Sequence, residues 1–232
     1  MKKAPAWWRK PRRISVVVDN PSWILPYAEQ LVDVLGRSGD DPTLYPAHDE
    51  VPRGEVAFYL GCTKITPPDV LQRNRRNLVV HESDLPRGRG FSPLTWQILD
   101  GLDEIPICLV EAAKEVDAGT VIYRQTLRFD GHELIDELRD AQGSATVELC
   151  LRFLNGAEPL VGIPQKGEPT FFARRNARDS RLDPEQSLSQ QFNLLRVVDN
   201  QRYPAFFDYR GHRYRISVEK VDPSDGELGR KR

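Results

Sequence analysis

Short apolar runs and amphipathic stretches alternate along the first part of the chain. Ile14-Ser-Val-Val-Val18 is a continuous, mostly β-branched run, the pattern of a strand buried on both faces of a parallel sheet. Ile24, Ala28, Leu31, Val32 and Leu35 then recur at helical spacing until Gly36 and Gly39, which predicts a helix over Ser22 to Arg37. Thr43-Leu-Tyr45 and Val56-Ala-Phe-Tyr-Leu60 read as further strands, Pro68 to Arg73 as a short helix, and Asn77-Leu-Val-Val-His81 as the next buried strand. Ser92 suits an N-cap with Pro93 in the first helical position and Gly101 at the far end. Pro93 to Asp100 is therefore predicted to be a helix with Trp96 and Leu99 facing inward. Ile107-Cys-Leu-Val110 and Thr120-Val-Ile-Tyr123 are strand patterns, and a helical stretch runs from His132 to about Asn155, with Gly143 as a point where it could divide in two. The alternation predicts an α/β fold: a Rossmann-like open, mostly parallel sheet with helices on both faces.

From Gly156 the pattern changes. Pro159, Gly162, Pro164, Gly167 and Pro169 give the composition of a linker. Beyond it, Asp183-Pro-Glu-Gln186 is a helix-start signature, followed by Leu188, Phe192 and Leu195 at helical spacing. Tyr203 to Phe207 and His212 to Val218 form a hairpin pattern around Tyr209-Arg-Gly211. The predicted organisation is thus a catalytic domain over 1–155, a linker over 156–169, a small C-terminal α+β module over 170–221 that binds substrate, and a flexible tail over 222–232.

Length and composition narrow the function. A chain of 232 residues buries a sizeable core without cross-links. Its 33 Lys and Arg against 34 Asp and Glu argue against wrapping a polyanion, so nucleic acid is not an expected partner. The three cysteines lack both disulfide-framework and zinc-ligand spacing, so no metal is expected and a reducing, cytoplasmic setting is. No run approaches a membrane span, and the basic N-terminus is not followed by an apolar signal core.

The densest chemistry lies in His81-Glu-Ser-Asp-Leu-Pro-Arg-Gly-Arg-Gly90 and Val116-Asp117-Ala-Gly119. A histidine closes a buried strand at the sheet edge where α/β ligands collect, and a later carboxylate is free to orient its ring. In Arg87-Gly88-Arg89-Gly90, glycines allow close backbone approach and arginines pair with phosphate or carboxylate. Arg174, Arg175 and Arg178 follow Phe171-Phe172, a combination suited to gripping a nucleotide's phosphates and stacking its base. Tyr203, Phe206 and Phe207 read more readily as hairpin core, and His48, His132 and His212 have no partners in a recognisable spacing.

The ordered set His81-x-Ser83-x-Leu85-Pro86, Arg89-Gly90 and Asp117-x-Gly119 resembles the formyltransferase family that uses 10-formyltetrahydrofolate. The C-terminal Arg174-Arg175, Asp179-Ser-Arg-Leu-Asp183 and Tyr203-Pro204 resemble the amino-sugar N-formyltransferases within it. The resemblance implies catalysis by His81 and Asp117 and a formyl donor lying along Cys62, Thr63, Lys64 and Ile65 and along Ala113, Lys114 and Glu115. It implies an acceptor held by Ser83, Arg87, Arg89, Arg174, Arg175 and Tyr203. The implied acceptor is a nucleotide-activated amino sugar for surface polysaccharide or flagellar glycan biosynthesis, and the implied assembly a homodimer. Other readings are a non-catalytic binding protein of the same fold and, behind it, a methionyl-tRNA formyltransferase, which carries a larger basic C-terminal domain. One departure stands out: where the family motif has asparagine two residues before the histidine, this chain has Val79. Asn77 lies roughly 13 Å from His81 at strand rise and does not replace it. The oxyanion of the reaction then has to be met by imidazolium, a backbone N–H, water or another side chain; losing such a donor costs about 10²–10³ in rate.

Overall fold

The computed structural model of the chain describes residues 4–221. The tail predicted from Asp222 onward lies outside them. In chain order the early strands are β1 (Arg13–Val17), β2 (Asp41–Tyr45), β3 (Gly54–Tyr59) and β4 (Asn74–His81). They are followed by the two-residue β5 (Arg89–Gly90), then β6 (Glu104–Glu111) and β7 (Val121–Arg128). Six of them form one sheet in the order β2-β1-β3-β4-β6-β7. The first four run parallel, and β6 is antiparallel to both its neighbours, so the predicted open, mostly parallel sheet is what forms.

Strand parity sorts the side chains. Ile14 and Val16, Val56 and Phe58, Leu78 and Val80, and Ile105, Ile107 and Leu109 all bury toward one face. That face is covered by α1 (Leu25–Arg37), α3 (Pro93–Leu99) and α4 (Ile135–Leu154), which contribute Ala28, Leu31 and Leu35, Leu94 and Ile98, and Leu149 and Phe153 to the same core. Each such aliphatic side chain contributes about 1.5–3 kcal/mol by leaving water. Val17, Ala57 and Tyr59 point the other way, beneath Val70 of the one-turn α2 (Pro68–Leu71). Helices therefore lie on both faces, thinly on the second. Arg12, at the foot of β1, is fully buried and forms a two-pronged ion pair with Asp40 while donating to the Leu154 carbonyl at the end of α4.

Three local expectations are corrected. Ser92 is left-handed (φ 50°) and its side chain makes no capping bond. The helix it precedes buries Leu94, Gln97 and Ile98, with Leu99 packed at the edge of the core as expected, whereas the Trp96 indole turns away from the core and donates to the Ala173 carbonyl. Gly143 does not divide α4: a Cβ there would lie 2.6 Å from the Tyr27 ring, so the glycine admits α1 against an unbroken helix.

The segment 156–169 runs beside β7, with Ile163 and Val121 exchanging backbone hydrogen bonds. The two-residue β8 (Phe171–Phe172) then pairs in parallel with β5. A separate small core of Leu182, Leu195, Val198 and Ala205 follows. Its helix, α5 (Phe192–Val197), starts later than predicted because Gln191 ties its side chain back to Asp183 and fixes the intervening residues in turns. The hairpin β9 (Ala205–Tyr209) and β10 (His212–Ile216) turns at Arg210-Gly211, both at positive φ, the geometry that suits the twist of paired strands.

Candidate active site

His81 is the last residue of β4 and only 5% exposed. Its Nε2 lies 2.8 Å from the Gly88 carbonyl oxygen and its Nδ1 3.5 Å from Asp117 Oδ2. A carbonyl only accepts, so Nε2 carries the hydrogen of its contact, while Nδ1 stands at ion-pair distance from the carboxylate. Asp117, on the loop between β6 and β7, is itself held: its Oδ2 accepts from the Gly90 N–H at 2.9 Å. The Gln165 amide donates to the carbonyls of Asp117 (2.6 Å) and Gly119 (2.8 Å), and Arg89 in turn donates to Gln165 at 2.7 Å. A Cβ on Gly119 would sit 1.8 Å from the Glu111 carbonyl, so only glycine lets this loop close on β6. The structure thus brings together the histidine and carboxylate that the sequence singled out.

At the carboxyl ends of the parallel strands opens a cleft of about 260 Å³, lined by Glu82 and Phe91, the chain neighbours of His81 and Gly90, and not by His81 or Asp117 themselves. Such an edge is where open α/β sheets bind ligands. Asn20 lies on its wall beyond β1, Gly61 and Thr63 beyond β3, and Glu82 beyond β4. From the C-terminal segment come Arg174, Arg175, Arg202 and Tyr203. Of the acceptor residues implied by the resemblance, Arg174, Arg175 and Tyr203 therefore share one cleft. Ser83, Arg87 and Arg89 do not line it. Ser83 is buried with its hydroxyl unpartnered, Arg87 pairs with Asp84 at 2.8 Å in the open, and Arg89 serves Gln165. The expected anion cradle at 87–90 is corrected likewise. A Cβ on Gly88 would meet the Phe172 ring at 2.6 Å and one on Gly90 the Phe172 carbonyl at 2.5 Å, so these glycines admit β8. Phe171 and Phe172 belong to that pairing, and Arg174, not an aromatic pair, reaches the cleft, its guanidinium 5.3 Å from the centre of the Phe91 ring.

The residues implied for the formyl donor form two loops that meet, since Cys62 and Ala112 pack on the same apolar cluster. The Thr63 and Lys64 N–H groups are both held by Asp19, at 2.8 Å each. Ile65 is exposed, as are Val116 and the side chains of Lys114 and Glu115, while Ala113 is half-buried. Burial, with the charge of Asp19 adding to it, pushes the Cys62 thiol up to about 12, so it is no nucleophile. Asp19, His48 and Cys62 place possible metal-ligating atoms within 4.8 Å of one another. Protein partners account for them: Asp19 accepts from two N–H groups and from His48, and the Cys62 thiol donates to the Val17 carbonyl.

Val79 packs between two apolar clusters, against Tyr59 on one side and Cys108 and Val110 on the other. Asn77 is committed elsewhere, accepting from Tyr59 Oη at 3.2 Å and donating to the Leu71 carbonyl at 2.8 Å. Sequence reasoning missed Glu82, although it stands next to His81 where the resembled motif has proline. Burial pushes its carboxyl above the usual carboxylate range. His81 and the adjacent Gln142 side chain oppose that shift, and the charge of Asp117 adds to it. Gln142, Arg139 and Asp199 also line the cleft and were missed, because only the approach of α4 to the C-terminal segment assembles them.

The comparisons agree with this architecture. Residues 49–154 match the family model described as formyl transferase. A methionyl-tRNA formyltransferase from Clostridium thermocellum superposes with a TM-score of 0.77 at 22% identity, over 90% of this chain and 93% of that one. HypX from Aquifex aeolicus in complex with tetrahydrofolic acid gives 0.72 at 17% identity, over 90% of this chain but 38% of that one. A sugar N-formyltransferase from Shewanella sp FDAARGOS_354 gives 0.65 at 13% identity, over 90% and 99%. The fold is one shared with formyltransferases, and the segment 49–154 carries the match to the formyl transferase family model, in line with the resemblance drawn from the motif around His81. Among the described residues no helix is long and apolar enough to cross a membrane.

Proposed function

We propose that the protein transfers the formyl group of 10-formyltetrahydrofolate to the amino group of a nucleotide-activated amino sugar, in the cytoplasm. The observation that carries this reading is the His81–Asp117 pair fixed at the rim of the sheet beside a cleft whose outer wall holds Arg174, Arg175 and Arg202. When bound, 10-formyltetrahydrofolate supplies the electrophilic formyl carbon. The exposed Ile65 and Val116 offer apolar surface to its rings and Lys64 and Lys114 offer charge to its carboxylates, so the residues present fit such a donor. His81, carrying hydrogen and steadied by Asp117, stabilises the negative charge that develops on the formyl oxygen and passes a proton toward the departing nitrogen. With valine in place of the amide two residues earlier, the imidazole, steadied by Asp117, carries that burden. The arginines hold the acceptor's phosphates, and Tyr203 lies beside them.

The test is incubation of the wild type with 10-formyltetrahydrofolate and a panel of UDP- and dTDP-linked amino sugars, following tetrahydrofolate release and the mass gain of a formyl group. His81→Ala and Asp117→Asn are expected to lower kcat by about 10²–10⁴ while leaving acceptor binding in place. Turnover unaffected by His81→Ala would remove the reading. A second acceptor, methionyl-tRNA, is favoured by the likeness to the Clostridium enzyme, and a tRNA arm in the same assay decides it. The near-balanced charge of the chain speaks against it.

A further inference from the structure

Resting on that reading, the structure also indicates which residue meets the acceptor's amine. An alkyl amine is largely ammonium at neutral pH and has no lone pair to attack with until a proton leaves. His81 is assigned to the departing nitrogen in that reading, its ring held between the Gly88 carbonyl and Asp117, so a different group is needed for this first proton. Glu82, the first residue beyond β4, lines the cleft beside Gln142 of α4. Asp199, a second acid on the cleft wall, is already paired with Arg139 at 2.8 Å and accepts from the Gln201 and Arg202 N–H groups. Among the described residues no lysine or arginine pairs with Glu82. The cleft therefore combines a carboxyl without a cationic partner, next to the histidine, with arginines of the C-terminal segment, which fits a ligand that carries both an amine and phosphates.

We propose that Glu82 receives the acceptor's ammonium and takes its first proton, acting as the general base that frees the attacking nitrogen. One N–H bond of the ammonium breaks as an O–H bond forms at the Glu82 carboxylate, and the freed lone pair forms the new bond to the formyl carbon. The bond from that carbon to the folate nitrogen then breaks. The folate nitrogen takes a second proton of the amine by way of His81, and the proton on Glu82 leaves to water. Amine in and amide out, with tetrahydrofolate and one released proton, closes the balance. Burial brings the Glu82 carboxyl closer to the pH at which it both gains and releases a proton, as a base working near neutrality requires. The charged groups around it are His81 and Asp117 on the sheet side, Arg139 on α4, and Arg174, Arg175, Asp199 and Arg202 of the C-terminal segment on the same cleft.

The test uses the acceptor that the wild type turns over best in the panel above. Glu82→Gln keeps the shape and the Gln142 contact. It is expected to lower kcat/KM for the acceptor about 100-fold at neutral pH with the KM for 10-formyltetrahydrofolate unchanged. Its rate should then climb about tenfold per pH unit and approach the wild type where the amine is free in solution. Glu82→Asp should restore part of the neutral-pH rate, and His81→Ala should stay low at every pH. A Glu82→Gln enzyme equal to wild type, or one reduced by the same factor at all pH values, overturns the role of Glu82 and leaves the formyl-transfer reading standing. No turnover by the wild type with any acceptor overturns that reading and this inference with it.

Discussion

Val79 and Glu82 stand on either side of His81 at the positions where the resembled motif carries asparagine and proline. Val79 is locked between apolar clusters, so the missing amide is compensated around it and not by a neighbour such as Asn77, whose side chain serves Tyr59 and Leu71. Glu82 carries a cost in stability that depends on pH. Its folded-state pKa is raised by burial, so its contribution is fully present below the unfolded value of about 4.3 and is lost as pH rises through the folded value. Glu82→Gln removes that loss. Thermal unfolding scans should show the variant close to wild type at pH 4 and higher in Tm at pH 8; an equal offset at both pH values would mean that the carboxyl is not desolvated. His81 and Asp117 were legible because their residue types and spacing are the signal. Glu82 was on view in the same motif, but nothing in a string of letters says that its side chain lies on a cleft wall.

At the scale of elements, strands were easiest to read, since β-branched runs such as Ile14 to Val18 have few other uses in a compact domain. Helix details were not, because packing partners decide them. Trp96 looked like core by type, yet Leu94 and Ile98 face the sheet once the indole finds the Ala173 carbonyl. Gly143 reads as a helix breaker and is a contact surface instead. Alanine at an ordinary helical glycine stabilises by about 1 kcal/mol, whereas overpacking against the Tyr27 ring costs about 1–3 kcal/mol. Gly143→Ala should therefore lower Tm in the wild-type background and raise it in a Tyr27→Ala background, a sign reversal that a double-mutant cycle measures directly. Arg12 and Asp40 show the same dependence on context. Burial alone would raise the Asp40 carboxyl, but the Arg12 guanidinium and N–H hold it below the usual carboxylate range.

At the scale of the molecule, one side chain ties the C-terminal segment to the sheet. Arg196 of α5 is 1% exposed and donates to Asp103 ahead of β6 and to both the side chain and carbonyl of Glu133 ahead of α4. Because the arginines of the cleft are carried by the segments on either side of α5, this tie also sets the width of the cleft. Arg196→Met is expected to cost about 1.5–3 kcal/mol in denaturant unfolding, since its charge-assisted hydrogen bonds are lost while Glu133 keeps the Asp130 and Gly131 N–H groups and Asp103 stays half-exposed. It should also raise the acceptor KM more than it lowers kcat. A loss confined to kcat would mean that the segment docks without it. The stretch 156–169 makes a related point. Its composition reads as a linker, yet Gln165 within it positions the Asp117 loop, a function invisible until Ile163 is seen beside Val121.

The chain's own sequence determined the α/β class, the succession of the first strands and helices, the hairpin turn at Arg210-Gly211 and the pairing of His81 with Asp117, because periodicity, turn chemistry and motif spacing are local or pairwise properties. Tertiary structure alone decided which face of α3 is buried, why Gly88, Gly90 and Gly119 must be glycine, and which arginines look into the cleft. It also decided that Glu82 stands there with them. These depend on what approaches each residue from a distant part of the chain, and burial and close contact are properties of that approach and not of the residue itself.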